Sequence, residues 1–312
     1  MTDLRAVVVG YDGSSSSLAA VEWGAIEASL RGVALRIVTA DPVPSWNYAE
    51  PGSSGGRLRF ENQVQAAVDL ARHLAPAVTI ETALIEKTPN EALVAEMATA
   101  EVGVLGRRGL SMLPELVVGS TSLYVAAHAS CPVVVLRACG DEVQPGTEAG
   151  RVVVGVDGSA FSAAAITFAF AEAELHSVGL TAVHAWSPYV HSSAEGVLIP
   201  ESVTGYESME LRVQGGNLEA AGWAAEEVRL VAESLAGYAE RYPAVDVRHV
   251  IVETSAERAL IGASAGASLV VVGSRGTGAF DSLVLGSTSY ALLHHAHSAV
   301  AIVRVTTAAN ER

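Results

Sequence analysis

The sequence contains one lysine, Lys87, in 312 residues. A Walker-type phosphate loop places a lysine beside its glycines, and the glycine-rich stretches here have none, so that chemistry is excluded. Cysteine is nearly as scarce. Cys131 and Cys139 form neither a ligand cluster nor a disulfide framework. Aromatics make up 5% of the chain. No apolar run approaches the ~20 residues of a membrane span. The opening MTDLRAVVVG lacks the basic segment and long apolar stretch of a signal peptide. The expectation is a soluble, cytoplasmic protein without a membrane partner. Positive charge is also short: the formal net charge is −15. Such a surface repels nucleic-acid phosphates and anionic lipid. It can still bind a phosphorylated small molecule where Arg, backbone N–H groups or a metal compensate locally.

What the chain does have is apolar residues, at 50%, and an internal repeat. RAVVVGYDGSSSSLAAVEWG at Arg5 recurs as RVVVGVDGSAFSAAAITFAF at Arg151. VGVLGRRG at Val102 recurs as LVVVGSRG at Leu269, and HASCPVVVLR at His128 as HAHSAVAIVR at His295. Asp12 returns as Asp157, 145 positions on, whereas Gly106 returns as Gly273, 167 positions on. The second copy is therefore longer by about 22 residues, inserted between His184 and Tyr238. Ser187 to Asn217 is rich in Ser, Gly, Glu and Pro and reads as a long loop. CGDEVQPGTEAG reads as a linker. The division predicted is 1–138, a linker at 139–150, and 151–306.

Each copy alternates β-branched runs with helical patterns. AVVVG, VALRIVTA, VTIETAL, VGVLG and PVVVL are the strands of the first. Helices are expected from about Ser15 to Leu30, with Ser14 or Ser15 as N-cap, from Leu58 to Leu74, from Pro89 after Thr88, and after Gly119. Alternating strands and helices with continuous apolar strands specify an α/β fold. The expectation is two tandem doubly wound five-stranded parallel sheets, Rossmann-like, with ligands outside the carboxyl ends of the strands.

The chemistry concentrates at those ends. GRRGLSMLPELVVGS at Gly106 and GSRGTGAFDSLVLGS at Gly273 share the spacing Gly-x2-Gly-x9-Gly-Ser. Gly106 and Gly273 end a strand, Gly109 and Gly276 sit in the turn, and Gly119-Ser120 and Gly286-Ser287 open a helix. Glycine admits close approach to the backbone, and a helix N-terminus offers unpaired N–H groups and partial positive charge. Together they suit a phosphate. Arg108 and Arg275 would add fixed charge. On this reading Glu at position 106 or 273 abolishes binding and leaves the fold standing. If the glycines serve only backbone packing, the same change lowers stability instead. Asp12 and Asp157, in GYDGS and GVDGS, end the first strands. They either contact a nucleoside or metal, or shape the loop as an Asx turn.

The D-G-S at the first strand end with G-x2-G-x9-G-S later resembles the universal stress protein family, in its tandem, ATP-binding form. The likeness covers both copies. It implies the adenine-nucleotide alpha hydrolase-like fold and ATP lying across the strand ends with Mg²⁺ or Mn²⁺. It implies Asp12 and Asp157 beside the adenosine, and Ala40 and Ala185 lining the adenine pocket. Gly106, Arg108, Gly109, Gly119, Ser120 and Thr121 would face ribose and phosphates, as would Gly273, Arg275, Gly276, Gly286, Ser287 and Thr288. Pro132 against Ala299, and the second-copy cluster of His294, His295 and His297, depart from strict repetition. Those histidines read as packed or solvated, and the His128/His295 pair as capping or packing.

No H-E-x-x-H and no usefully spaced Cys/His pair is present. The leading expectation is an ATP-binding stress-response regulator that signals through conformation or association with an unknown protein partner. At most it hydrolyses ATP weakly. The rivals are a slow ATPase or nucleotide- or phosphoryl-transferring enzyme, and a non-binding dimerisation module. PVVVLR and AVAIVRV are apolar strands at expected sheet edges, which invites pairing. They are expected to join the two halves or to form a homodimer.

Overall fold

The computed structural model describes residues 5–40, 55–107, 118–137, 146–186, 218–276 and 285–305. The expected loop at 187–217, Cys139, Arg108 and Gly109 lie outside them. The first copy runs β1 (Ala6–Gly10), α1 (Ser15–Arg31), β2 (Ala34–Ala40), α2 (Gly55–Leu74), β3 (Ile80–Ile85), α3 (Pro89–Glu96), β4 (Val102–Gly106), α4 (Ser120–His128) and β5 (Val133–Leu136). The second runs β6 (Val152–Gly155), α5 (Ala160–Leu175), β7 (Leu180–Trp186), α6 (Leu218–Ser234), α7 (Tyr238–Arg241), β8 (Val247–Glu253), α8 (Ala256–Ala263), β9 (Leu269–Gly273), α9 (Ser287–His295) and β10 (Val300–Val303). This is the doubly wound α/β class expected, with α2 starting three residues before the predicted Leu58.

The helix ends follow their local chemistry. Ser14 caps α1, its side chain accepting from Ser17 N–H, and Gly32 closes the helix in the left-handed region at φ 66°. Thr88 caps α3, with Pro89 in the first turn. The strands are fully buried where helices cover both faces: Val7, Val8 and Val9 in β1, Val102, Val104 and Leu105 in β4. Against them α1 presents small apolar residues, Ala20, Val21, Ala25 and Ala28. Small side chains let the helix approach the sheet closely, which explains why so valine- and alanine-rich a chain needs few aromatics.

The chain forms two compact units, Met1–Asp141 with Ala299–Arg312, and Glu142–Ser298. In the first unit the strand order is β3-β2-β1-β4-β5-β10. β1, β2, β3, β4 and β5 are parallel. β10, the last strand of the second copy, pairs antiparallel with β5, Val300 opposite Val135 and Ile302 opposite Val133. The two apolar last strands therefore cover one another's edge within one chain. In the second unit the order is β9-β6-β7-β8, all parallel. The chain order reverses between β1 and β4, and again between β6 and β9. Those are the crevices where open α/β sheets receive ligands.

Residues 146–150, the described end of the expected linker, belong to the second unit. Gly146 N–H donates to Ala265 O and Gly150 N–H to Gly266 O. Glu148 is buried and accepts from the Thr181 hydroxyl. Arg151 completes this anchor, its Nε 2.9 Å from Thr181 Oγ1 and its Nη1 2.7 Å from Asp246 Oδ2. Among the described residues no helix is long and apolar enough to cross a membrane.

Candidate functional site

Each unit leaves its first strand through an aspartate. Asp12 Oδ1 accepts from Ser14 N–H at 2.9 Å, and Asp157 Oδ1 accepts from Ser159 N–H at 2.9 Å. Both are Asx turns, so loop shaping is one role the D-G-S segment has in both copies. Each turn then feeds its helix cap: Ser14 Oγ accepts from Ser17 N–H at 3.2 Å, and Ser159 Oγ from Ser162 N–H at 3.1 Å.

In the first unit a cleft of about 240 Å³ opens at the carboxyl ends of β1 and β4. Asp12, Ala40, Gly106, Gly119, Ser120 and Thr121 all line it. These are all the first-copy site residues predicted, apart from Arg108 and Gly109, which lie outside the described residues. Tyr11, Val38, Leu93 and Leu105 add apolar and aromatic surface. Burial, and then the neighbouring Asp12 charge, push the Tyr11 phenol above its usual range. α4 begins at the rim, capped by Gly119 with no side-chain hydrogen bond. Ser120 and Thr121, in its first turn, line that end of the cleft. One wall is apolar, one end is rich in donors and one carboxylate stands near the strand end, an arrangement that fits a nucleoside carrying phosphate.

The second unit brings Asp157, Arg275, Gly276 and Gly286 together. A β-carbon on Gly276 would stand 2.6 Å from Asp157 Oδ2, and one on Gly286 would lie 3.4 Å from Arg275 Cα. Ser287 and Thr288 follow at the start of α9, again capped by a glycine without a side-chain bond. The Arg275 guanidinium lies 5.5 Å from the centre of the Phe161 ring, and its Nε is buried with no hydrogen-bond partner among the described residues. Ala185, next to last in β7, is half-buried. Its neighbour His184 is held on both sides, Nδ1 donating to Val156 O at 2.7 Å and Nε2 lying 2.7 Å from Glu227 Oε2. The equivalent residue of the first unit is Thr39, whose hydroxyl donates to Tyr11 O at 2.9 Å. A cleft of about 500 Å³ in this unit lies beside Gly158, Ser159, Leu230 and Glu233, and none of the predicted residues lines it.

Gly106 and Gly273 have the packing role that the sequence left open. A β-carbon on Gly106 would come within 2.6 Å of the Ser16 backbone, and one on Gly273 within 2.8 Å of the Phe161 backbone. The close approach they permit is that of α1 or α5 to the strand end. Glutamate at either position therefore cannot leave the packing intact, which corrects the expectation of a standing fold. Sequence reasoning also misses two serines. Ser122 Oγ donates to Gly106 O at 2.7 Å, and Ser289 Oγ to Gly273 O at 2.7 Å, both buried. They tie the end of each fourth strand to the helix that begins the donor-rich rim. The signal for them is GSTS, which recurs unchanged at 119–122 and 286–289.

The histidines lie at or just beyond helix ends, His128, His295 and His297 exposed and His294 half-buried. His128 Nδ1 donates to Tyr124 O at 2.7 Å and its ring stacks on Tyr124 at 4.0 Å. In the second unit it is His294, not His295, that repeats this with Tyr290, at 2.9 Å to the carbonyl and 4.2 Å between rings.

The family model described as the universal stress protein family matches residues 4–137 and again 148–304. The chain belongs to the universal stress protein family. Among curated relatives it is 36% identical over 306 residues to universal stress protein Rv2005c of Mycobacterium tuberculosis, covering 96% of each chain. It is 32% identical, with the same coverage of both, to universal stress protein Rv2623 of that organism. Among solved structures, a universal stress protein from Archaeoglobus fulgidus superposes with a TM-score of 0.57 at 18% identity, over 96% of both chains, which supports the fold. As a tandem universal stress protein, the chain carries two copies of the domain.

Proposed function

We propose that this universal stress protein is a regulatory protein that binds an adenine nucleotide, ATP with its Mg²⁺ or Mn²⁺, in the cleft of the first unit. One observation carries the reading. Six residues from four separate segments, Asp12, Ala40, Gly106, Gly119, Ser120 and Thr121, meet around one cleft at the strand-order reversal. The base would lie against Ala40, Val38 and Leu93, and the phosphates against the start of α4. A bound nucleotide changes the charge and packing at the α4 rim, and the protein passes this on through conformation or through association as a homodimer or with a regulatory partner. The divalent ion would neutralise phosphate charge in a protein with one lysine.

Calorimetry with Mg-ATP tests the reading, alongside mass analysis of ligand released from freshly purified protein. Saturable binding with turnover far below the ~1 s⁻¹ of slow ordinary enzymes supports a regulator. Binding with faster turnover makes the protein an ATPase, and no binding overturns the nucleotide reading in favour of a module that works through its paired strands.

A further inference from the structure

The two donor-rich rims are built alike and end differently. In the second unit Glu257 reaches across from α8 to the start of α9. Ser287 Oγ donates to Glu257 Oε1 at 2.9 Å, and Thr288 Oγ1 lies 3.3 Å from the same oxygen. A carboxylate of the chain itself therefore sits where the helix start would meet a phosphate. It is an anion at the positive end of a helix, a favourable place for it.

The first unit differs at the matching position. The offset of 167 aligns Thr88 with Ser255, Asn90 with Glu257 and Leu93 with Leu260. Structure supports that register twice over. Thr88 and Ser255 are both side-chain N-caps. Leu93 and Leu260 both pack against the glycine ending the first strand, Gly10 or Gly155. The acid of the first copy lies one residue later, at Glu91, and it turns back to its own cap, accepting from the Thr88 hydroxyl at 2.8 Å. One residue along a helix is a rotation of about 100°. That shift is the difference between a carboxylate on its own helix cap and one on the neighbouring helix start. The counterpart of Glu257 in the first unit is the neutral Asn90.

We propose that Glu257 occupies the phosphate seat of the second repeat and makes the two repeats unequal, so that the nucleotide binds in the first and is excluded from the second. This rests on the nucleotide reading above. A polyphosphate entering the second site must displace a hydrogen-bonded carboxylate and leave it beside like charge, which disfavours binding by on the order of a hundredfold or more. Glu257 is thus a specificity-determining residue.

Calorimetry with Mg-ATP on the full chain tests this with two reciprocal variants. Wild type should bind one ATP per chain. Glu257→Asn should bind two, the second site tightening by on the order of a hundredfold. Asn90→Glu, which installs the anion in the first unit, should weaken the single wild-type site by a similar factor while its thermal midpoint stays within a few degrees. Two equivalent sites in the wild type would overturn the inference and leave the nucleotide reading intact. So would an unchanged stoichiometry in Glu257→Asn with a folded chain, or an Asn90→Glu variant that binds as wild type does. Absence of binding in all three proteins would overturn both.

Discussion

A β-carbon on Gly106 would stand 2.6 Å from both the carbonyl carbon and the carbonyl oxygen of Ser16. The neighbour is backbone in the first turn of α1, so it cannot swing aside as a flexible side chain would. Gly106→Ala should therefore cost about 1–3 kcal/mol of stability through overpacking. Thermal unfolding should show a midpoint several degrees below wild type, with or without ATP. An unchanged midpoint would return Gly106 to a purely ligand-facing role.

The hydroxyls behind those glycines carry a separate load. Ser122 and Ser289 each donate to the carbonyl of the strand-ending glycine from a buried position. Replacing Ser122 with Ala leaves that carbonyl unpaired, at a cost of about 1–3 kcal/mol. Urea unfolding should show a lower midpoint with an unchanged slope. Ser122→Ala should also loosen the start of α4 and weaken any ligand held there. A variant as stable as wild type would mean that water takes the place of the hydroxyl.

The contrast between these residues shows what the sequence could convey. β-Branched runs and alanine-rich helices are local patterns, so the strands, most helix ends and the sheet class were legible. Recurrence of the D-G-S and Gly-Ser blocks also located the strand ends where Asp12, Gly106 and Ser120 meet. Spacing, however, does not say what a glycine faces. Whether Gly106 leaves room for a ligand or for Ser16 depends on how α1 crosses the sheet. Glu257 illustrates the same limit. Its partner Ser287 lies 30 residues further along the chain, and only the packing of α8 beside α9 brings the carboxylate to the hydroxyl.

Cys131 is buried, and that burial pushes its thiol up to about 11, with smaller opposing hydrogen bonds to backbone. A thiol that stays protonated does not attack. In a Cys139→Ser background, Ellman's reagent should react with the native protein at a small fraction of its rate with the denatured chain. The sign of the pH dependence follows from the raised value. The stabilising contribution is complete below the ordinary thiol value of 9.0 and is lost as pH rises toward 11. Cys131→Ala should therefore lose less stability than wild type between those limits. Rapid native-state labelling near neutral pH would contradict the burial.

Asp12 makes the sharpest distinction between architecture and binding. One carboxylate oxygen, Oδ1, holds the Asx turn by accepting from Ser14 N–H, and the side chain also borders the cleft. Asn keeps an acceptor for the turn but replaces the second oxygen with a donor and removes the charge. Ala removes both. Asp12→Ala should lower stability by about 1 kcal/mol and weaken nucleotide binding together. Asp12→Asn should leave the thermal midpoint near that of wild type. If the second oxygen accepts from a nucleoside hydroxyl, the loss of a charged hydrogen bond is about 1.5–3 kcal/mol, or roughly 10- to 150-fold in affinity. Calorimetry and thermal unfolding on the same three proteins separate the two roles. An Asp12→Asn protein that binds Mg-ATP as tightly as wild type would make Asp12 a turn former alone, and the contact to the nucleoside would have to come from elsewhere in the cleft.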